Sequence, residues 1–529
     1  MHKSPKLNPP ALHGGKLAST IGRNTVFGMA ANFAQIATRL ITIPVVIKYL
    51  GLDGYGIWSI IMVTAAYMRF GSAGIKSAFQ KYVAEATGSG NFEKANKLIS
   101  TGSALMLALS LLGLIPVMFA SKALAYAAGV PSHFLSAAAG SITLLALIIL
   151  VSNSGAGYEA VVMGAQRMDL LRKVNIISTI GEAVAIVLLL HFHQGLFAMS
   201  AVMAASEILY ILYCVVVSRQ ILPQIQIAPK HVTRTVIREF VTFAGSYQLV
   251  SIQEIIYGAI LPVAVLRFFG ATAAGAFAVV GRLVQAALMP QDAFLMPILS
   301  GSSFAFASGS AEQMKVVIIK AFKTTFGLSI LPLSIICAAG TTILLAWTGQ
   351  ADPSFHVFLW LMSLAGLFKA VSLLQLVLYR ASGKSLMDNI RQALRIVILL
   401  VIGFLGNYLG LKGILAGLAF AELSGMVFMF FVLDHAFPGF KARILLPDTF
   451  RLTGAAIATA LMATLIVYLP IPWLAGERSV ALVRVCMIGA LTLAAAVPLL
   501  LRTGALSRTE LHAILDVLPL RRRRAYATI

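Results

Sequence analysis

Blocks of about 20 apolar residues recur along the whole 529-residue chain, each long enough to cross a hydrocarbon core about 30 Å thick at about 1.5 Å per helical residue. Nothing else in the sequence constrains the fold as strongly. A water-soluble domain carries about a quarter charged residues, whereas here 59% are hydrophobic and 11% charged. The expected class is an all-α polytopic membrane protein. Fourteen spans are predicted, near 25–48, 55–75, 99–120, 138–162, 174–191, 195–217, 240–266, 272–300, 324–347, 355–379, 392–408, 413–435, 452–470 and 480–501.

The basic residues test that count. Of 41 Lys and Arg, 31 fall on the N-terminus, the C-terminus and the loops after even-numbered spans, with Arg391 and Arg395 assigned to the loop before span 11. The alternate loops hold five: Lys48, Lys122, Arg267, Lys412 and Arg478. By the positive-inside rule both ends are expected in the cytoplasm. The net charge of +22 is then a topology signal, and nucleic acid is not an expected partner. The segment from Ser507, with Glu510, Leu511, Ile514, Leu515, Leu518 and Arg521 to Arg524, is expected to lie as a helix on the anionic leaflet or to act as a stop-transfer anchor.

An internal repeat organises the spans. Lys48-Tyr49-Leu50-Gly51 with Tyr55-Gly56-Ile57-Trp58 is echoed by Arg267-Phe268-Phe269-Gly270 with Ala274-Gly275-Ala276-Phe277, an offset of 219 (270 minus 51). Gly88-Ser89 with Lys94 resembles Gly309-Ser310 with Lys315, at 221 (315 minus 94). Six spans separate the copies, and an even number returns the chain to the same side, so the halves are parallel repeats. The expected architecture is two six-helix lobes plus two C-terminal helices. It comprises a cytoplasmic segment 1–23, an N-lobe 24–220, a cytoplasmic linker 221–238, a C-lobe 239–436, spans 13 and 14 within 437–503, and a cytoplasmic tail 504–529.

Motifs of soluble chemistry fail on context. Ala381-Ser382-Gly383-Lys384-Ser385 ends like a phosphate loop, but the first glycine of that motif would fall on Leu378 in an apolar helix. Gly51, Gly54 and Gly56 are wrongly spaced for a dinucleotide fingerprint. His191 and His193 lack a third zinc ligand nearby in sequence, and Cys214, Cys337 and Cys486 sit inside apolar blocks. Neither an enzyme nor a cofactor is expected.

Asn24-Thr25, Pro44, Tyr49-Leu50-Gly51, Tyr55-Gly56-Ile57-Trp58, Gly71-Ser72-Ala73-Gly74 and Lys81-Tyr82-Val83-Ala84-Glu85 together resemble the polysaccharide (O-antigen and exopolysaccharide) repeat-unit flippases, in the superfamily that also holds the MATE drug exporters and the lipid II flippase. The motifs are clearest over 24–100. The resemblance implies movement of an undecaprenyl-pyrophosphate-linked oligosaccharide from the cytoplasmic to the periplasmic leaflet of a bacterial inner membrane by alternating access. It further implies spans 1, 2, 7 and 8 as cavity-lining helices. Partners so implied are the lipid-linked substrate and membrane lipids, with proton or sodium coupling and polysaccharide polymerase or assembly proteins as further possibilities. The chain lacks the basic and acidic pattern of the lipid II flippases around its first two spans, so a lipid II flippase stands as the alternative within this resemblance, not as the first reading.

Charges within the spans are the candidate site, because a cation at mid-bilayer costs about 2.5–3.5 kcal/mol on insertion scales and so should face a wet cavity or a partner. Arg39 lies about 22 Å up span 1 from the cytoplasmic side, and Arg69, Arg282 and Lys369 lie about 21, 15 and 21 Å down spans 2, 8 and 10 from the periplasmic side. Asn32, Gln35 and Arg39 form one stripe on span 1, and the 219 offset places Asn32 on Ser251 and Gln35 on Glu254 in span 7. Four readings stay open. Surplus Arg and Lys suit a pyrophosphate, which guanidinium grips with paired hydrogen bonds. The same charges could instead pair as Arg282 with Glu254 or Arg39 with Glu182, and Glu182, Glu207 and Glu422 could serve packing alone. A cation-coupled drug exporter would favour acidic and aromatic cavity residues. A membrane glycosyltransferase or ligase would need a large external domain, for which the stretch near 121–137 offers one charge.

Overall fold

A computed structural model describes residues 14–68, 79, 83, 90–165, 167–307, 311–350, 355–382, 385–436, 441–471, 476–502 and 504. Among them the chain forms twelve α-helices: α1 Gly14–Met68, α2 Phe92–Ala127, α3 Ser132–Gly164, α4 Met168–His191, α5 Leu196–Ile221, α6 Arg234–Ala307, α7 Ala311–Thr348, α8 Phe355–Ser382, α9 Ser385–Phe404, α10 Gly406–Ala436, α11 Leu446–Tyr468 and α12 Glu477–Arg502. Two short 3-10 turns, Pro229–His231 and Ala442–Leu445, precede α6 and α11. No strand occurs among the described residues.

Among the described residues ten stretches are long and apolar enough to cross a membrane. Tyr408–Leu433 has a helix break at Gly410, two residues after its start, and two others, Phe33–Ala66 and Gln253–Gln291, are broken near mid-length. The breaks are Gly51 (φ 73°, ψ 173°) and Gly270 (φ 83°, ψ −179°), a backbone region open essentially to glycine alone. α1 and α6 are therefore two crossings each. With α9 and α12 the helical segments number fourteen and follow the predicted spans one for one. The apolar test does not pick out α9 because Asp388, Arg391 and Arg395 all lie within it.

The chain forms two compact units, one running to Ile255 and the other from Ile256. Within the first, α2 packs on α3, α3 on α5 and α1 on α4; within the second, α7 packs on α8 and α8 on α10. The pairs α2·α3 and α7·α8 are equivalent under the 219 offset, as are α3·α5 and α8·α10. Small residues admit the close approaches that bind helices in lipid. At Gly155 an added Cβ would lie 2.7 Å from Ile211, and at Gly340 2.7 Å from Leu359.

The first unit's core gathers Leu98, Ile99, Met106, Ala156, Ala160 and Val161. The second gathers Ile318, Phe322, Leu374, Met429 and Leu433, and Leu452 and Leu500 bring α11 and α12 into the same cluster. Those two helices are tied to α7 by polar contacts as well. Lys323 Nζ meets Asp448 at 3.2 Å, and the Arg478 guanidinium donates to the last-turn carbonyls of Ala346 and Trp347, both at 3.3 Å. A cation on a helix C-terminus satisfies carbonyls that have no partner within the helix.

Candidate functional site

The candidate residues that the structure describes lie on α1, α6 and α8. On α1, Gln35 is exposed and Arg39 half-buried, while Thr38 bonds its own helix at Ala34 O, 2.9 Å. Glu182 on α4 is half-buried within electrostatic reach of Glu207 on α5 and of Arg39, so the predicted Arg39 and Glu182 neighbourhood exists in the first unit. Glu207 accepts a hydrogen bond from Ser152 on α3. On α6, Glu254 is exposed and Arg282 is half-buried, its Nη1 donating to Gln285 Oε1 at 3.2 Å one turn on. Lys369 on α8 is exposed. Arg69 and the side chains of Asn32 and Ser251 lie outside the described residues.

The sequence reading missed a second polar constellation, buried inside the second unit. Asp388, Arg391, Gln392 and Arg395 recur at i, i+3, i+4 and i+7, one stripe along α9, and each is at most 3% exposed. The opposite face carries Ile390, Leu394, Val397, Val401 and Phe404, all exposed. The helix is amphipathic inside out, with its polar face toward protein and its apolar face outward, where lipid would lie. The assignment of Arg391 and Arg395 to a solvated loop is therefore corrected. α9 begins at Ser385, and both arginines are paired within the unit instead of hydrated.

The pairing is specific. Arg391 donates to Asp388 Oδ1 from Nη2 at 2.8 Å and from Nε at 3.2 Å, and to Ser372 Oγ on α8 at 3.3 Å. Arg395 donates to Gln392 and forms an ion pair with Glu422 on α10, and its guanidinium carbon lies 3.9 Å from the centre of the Tyr257 ring on α6. The Tyr257 hydroxyl donates to the same Glu422 oxygen. Gly425 gives the arginine stems room, since a Cβ there would stand 3.0 Å from Arg395 Cδ. Two cations meet two carboxylates, so the cluster is internally neutral. Glu422 Oε2 and Arg395 Nε remain without a hydrogen-bond partner.

The repeat reaches into this chemistry. Met168-Asp169 with Arg172 and Met387-Asp388 with Arg391 lie 219 apart (388 minus 169), and both aspartates are buried at the start of their helices. Asp169 accepts from Arg167 Nε at 3.1 Å, while Arg172 is exposed. The positions equivalent to Tyr257, Arg395 and Glu422 are Thr38, Ile176 and Met203. The buried ion pair thus has no counterpart in the first unit. No group of three or more metal-ligating His, Cys, Asp or Glu side chains occurs among the described residues.

No protein-family model matches the chain, and neither does any curated sequence. Solved structures do. An inward-facing multidrug resistance MATE family transporter of the MOP superfamily superposes with a TM-score of 0.65 at 14% identity, over 76% of this chain and 94% of that one. The lipid II flippase MurJ, in an inward closed conformation, superposes with a TM-score of 0.63 at 16% identity, over 90% of this chain and 99% of its own. A MOP superfamily transporter from Pyrococcus furiosus, described as having a binding pocket of reverse polarity, gives 0.55 at 14% identity, over 79% and 95%. The chain has the fold of these membrane transporters and flippases.

Proposed function

We propose that this chain is a flippase that moves an undecaprenyl-pyrophosphate-linked oligosaccharide repeat unit from the cytoplasmic to the periplasmic leaflet of a bacterial inner membrane, with both termini in the cytoplasm. The observation that carries the reading is the extent of the fold likeness. MurJ matches over 90% of the chain and a MATE transporter over 76%, so the likeness to a lipid-carrier flippase takes in more of the molecule. Fold alone does not choose a cargo. The charges support this one: Arg39, Arg282 and Lys369 outnumber Glu254 among the described candidate residues, and an excess of cations suits a pyrophosphate. The polyprenyl tail would stay in lipid while the headgroup crosses. A glycan-polymerising or assembly partner on the far side would consume the product.

Arg282 is the residue to test, because it sits mid-helix on α6 with Gln285 as its described partner. Arg282→Ala should leave the protein inserted at normal level yet stop surface-polysaccharide export, with lipid-linked repeat units accumulating on the cytoplasmic side. Arg282→Lys should recover part, since one ammonium cannot reproduce the planar fork. Full rescue of export by Arg282→Ala with Glu254→Ala would show that Arg282 only neutralises a carboxylate, and the headgroup assignment would fall. One observation favours a second reading, cation-coupled export: the half-buried Glu182 and Glu207 carboxylates of the first unit lie within electrostatic reach of each other. Transport that stops when proton and sodium gradients are collapsed, and that accepts cationic drugs, would select it.

A further inference from the structure

The segment joining the two repeats, Leu222 to Thr233, contains Pro223 and Pro229 and neither glycine nor serine, the opposite of a flexible linker composition. Between the prolines it reads Gln224-Ile225-Gln226-Ile227, alternating as an extended strand does. The apolar residues of this stretch face the protein. Leu222, Ile225 and Ile227 pack on the core of the first unit, and Ile227 Cδ1 lies 3.0 Å from where a Cβ on Gly157 of α3 would stand.

Its backbone is bonded to three side chains of α2. Gln226 N–H donates to Asn96 Oδ1 at 2.8 Å, and Asn96 Nδ2 returns a longer bond to Gln224 O at 3.5 Å. The Asn96 amide thereby takes the place of a backbone amide in a β-ladder. One helical turn on, Ser100 Oγ accepts from Ala228 N at 3.1 Å and donates to Gln226 O at 3.4 Å. Thr101 Oγ1 accepts from Thr233 N at 3.0 Å and donates to His231 O at 3.5 Å. Thr233 immediately precedes α6, so the ladder ends where the next helix begins.

Among the described residues the second copy of this helix shows no such ladder. At the 219 offset Asn96, Ser100 and Thr101 become Lys315, Ile319 and Lys320; at 221 they become Val317, Ala321 and Phe322. The polar triplet is present only in the repeat that carries the connection. We infer that residues 222–233 are a strap held fast along α2 and α3, so that the chain enters α6 from a fixed point on the first unit. In agreement, the compact first unit extends through Ile255, well inside α6.

The full-length protein in lipid nanodiscs tests this without any cargo. Amide hydrogen exchange at Gln226, Ala228 and Thr233 should be slow, and should rise at least about tenfold in an Asn96→Ala/Ser100→Ala/Thr101→Val variant while peptides of α4 and α5 are unchanged. Spin labels at Lys97→Cys and Lys230→Cys, with the three native cysteines replaced by alanine, leave the ladder intact and should give one narrow distance. Exchange at the free-chain rate in the unaltered protein, equal protection in the triple variant, or a broad or two-peaked label distance would each overturn the strap.

Discussion

Glu422→Ala isolates the energetics of the buried ion pair. The change leaves the Arg395 guanidinium 3% exposed, without its counter-charge, and held by Gln392 and the Tyr257 ring alone. Breaking a buried pair from one side costs about 3–5 kcal/mol, or about two to four powers of ten in the ratio of folded to unfolded protein. Arg395→Met should cost less. A stranded carboxylate can take up a proton and still be hydrogen-bonded by Tyr257, whereas a guanidinium cannot shed its charge. Replacing the whole set, Tyr257→Phe with Arg395→Met and Glu422→Leu, should be neutral or stabilising, because apolar side chains of similar volume escape the desolvation penalty. Equilibrium unfolding in mixed detergent micelles measures all three. A Glu422→Ala protein within about 0.5 kcal/mol of the parent would refute the reasoning, as would an apolar triple variant no more stable than the single one.

Gly51→Ala and Gly270→Ala should each lower stability by about 1–3 kcal/mol in the same assay, through backbone strain alone, since no atom lies within 4 Å of the added Cβ at either position. A loss under about 0.5 kcal/mol at both would mean the chain turns there without needing glycine. Reporter fusions after Gly90 and Gln224 should read cytoplasmic and those after Asp53 and Val130 periplasmic; a cytoplasmic signal at Val130 would break the alternation of spans.

The number and order of crossings were legible because two independent patterns, apolar length and basic loops, had to agree at every turn. The corner glycines were legible too: Gly51 and Gly270 stand at matching places in the repeat and adopt matching dihedral angles. The inside-out helix was not. A charge inside an apolar run reads as the edge of a span, so Arg391 and Arg395 were assigned to a loop, although Asp388, Arg391, Gln392 and Arg395 already showed a helical stripe. What the stripe faces lies far off in the chain. Glu422 is 27 residues from Arg395, and Tyr257 is 165 from Glu422. The strap was illegible for a related reason. Its bonds run from ordinary Asn, Ser and Thr side chains to backbone groups 126 to 132 residues away, and a backbone acceptor leaves no mark on composition.

The two repeats share corner glycines, helix pairings and the buried aspartates at 169 and 388, which are what the architecture needs in both copies. They differ where polar groups exceed that need. Thr38, Ile176 and Met203 fill their positions without an ion pair, so helix packing by itself does not require Tyr257, Arg395 and Glu422. A buried charge pair that packing does not demand, and that apolar residues would replace at no loss of stability, has to be explained by something other than stability. Export measured in the apolar triple variant separates the two explanations. If transport of the cargo proposed above persists at the parent rate, the pair only fixes which face of α9 turns inward. If export stops in a protein that is fully inserted and at least as stable as the parent, the charges of the second unit belong to the transport cycle itself.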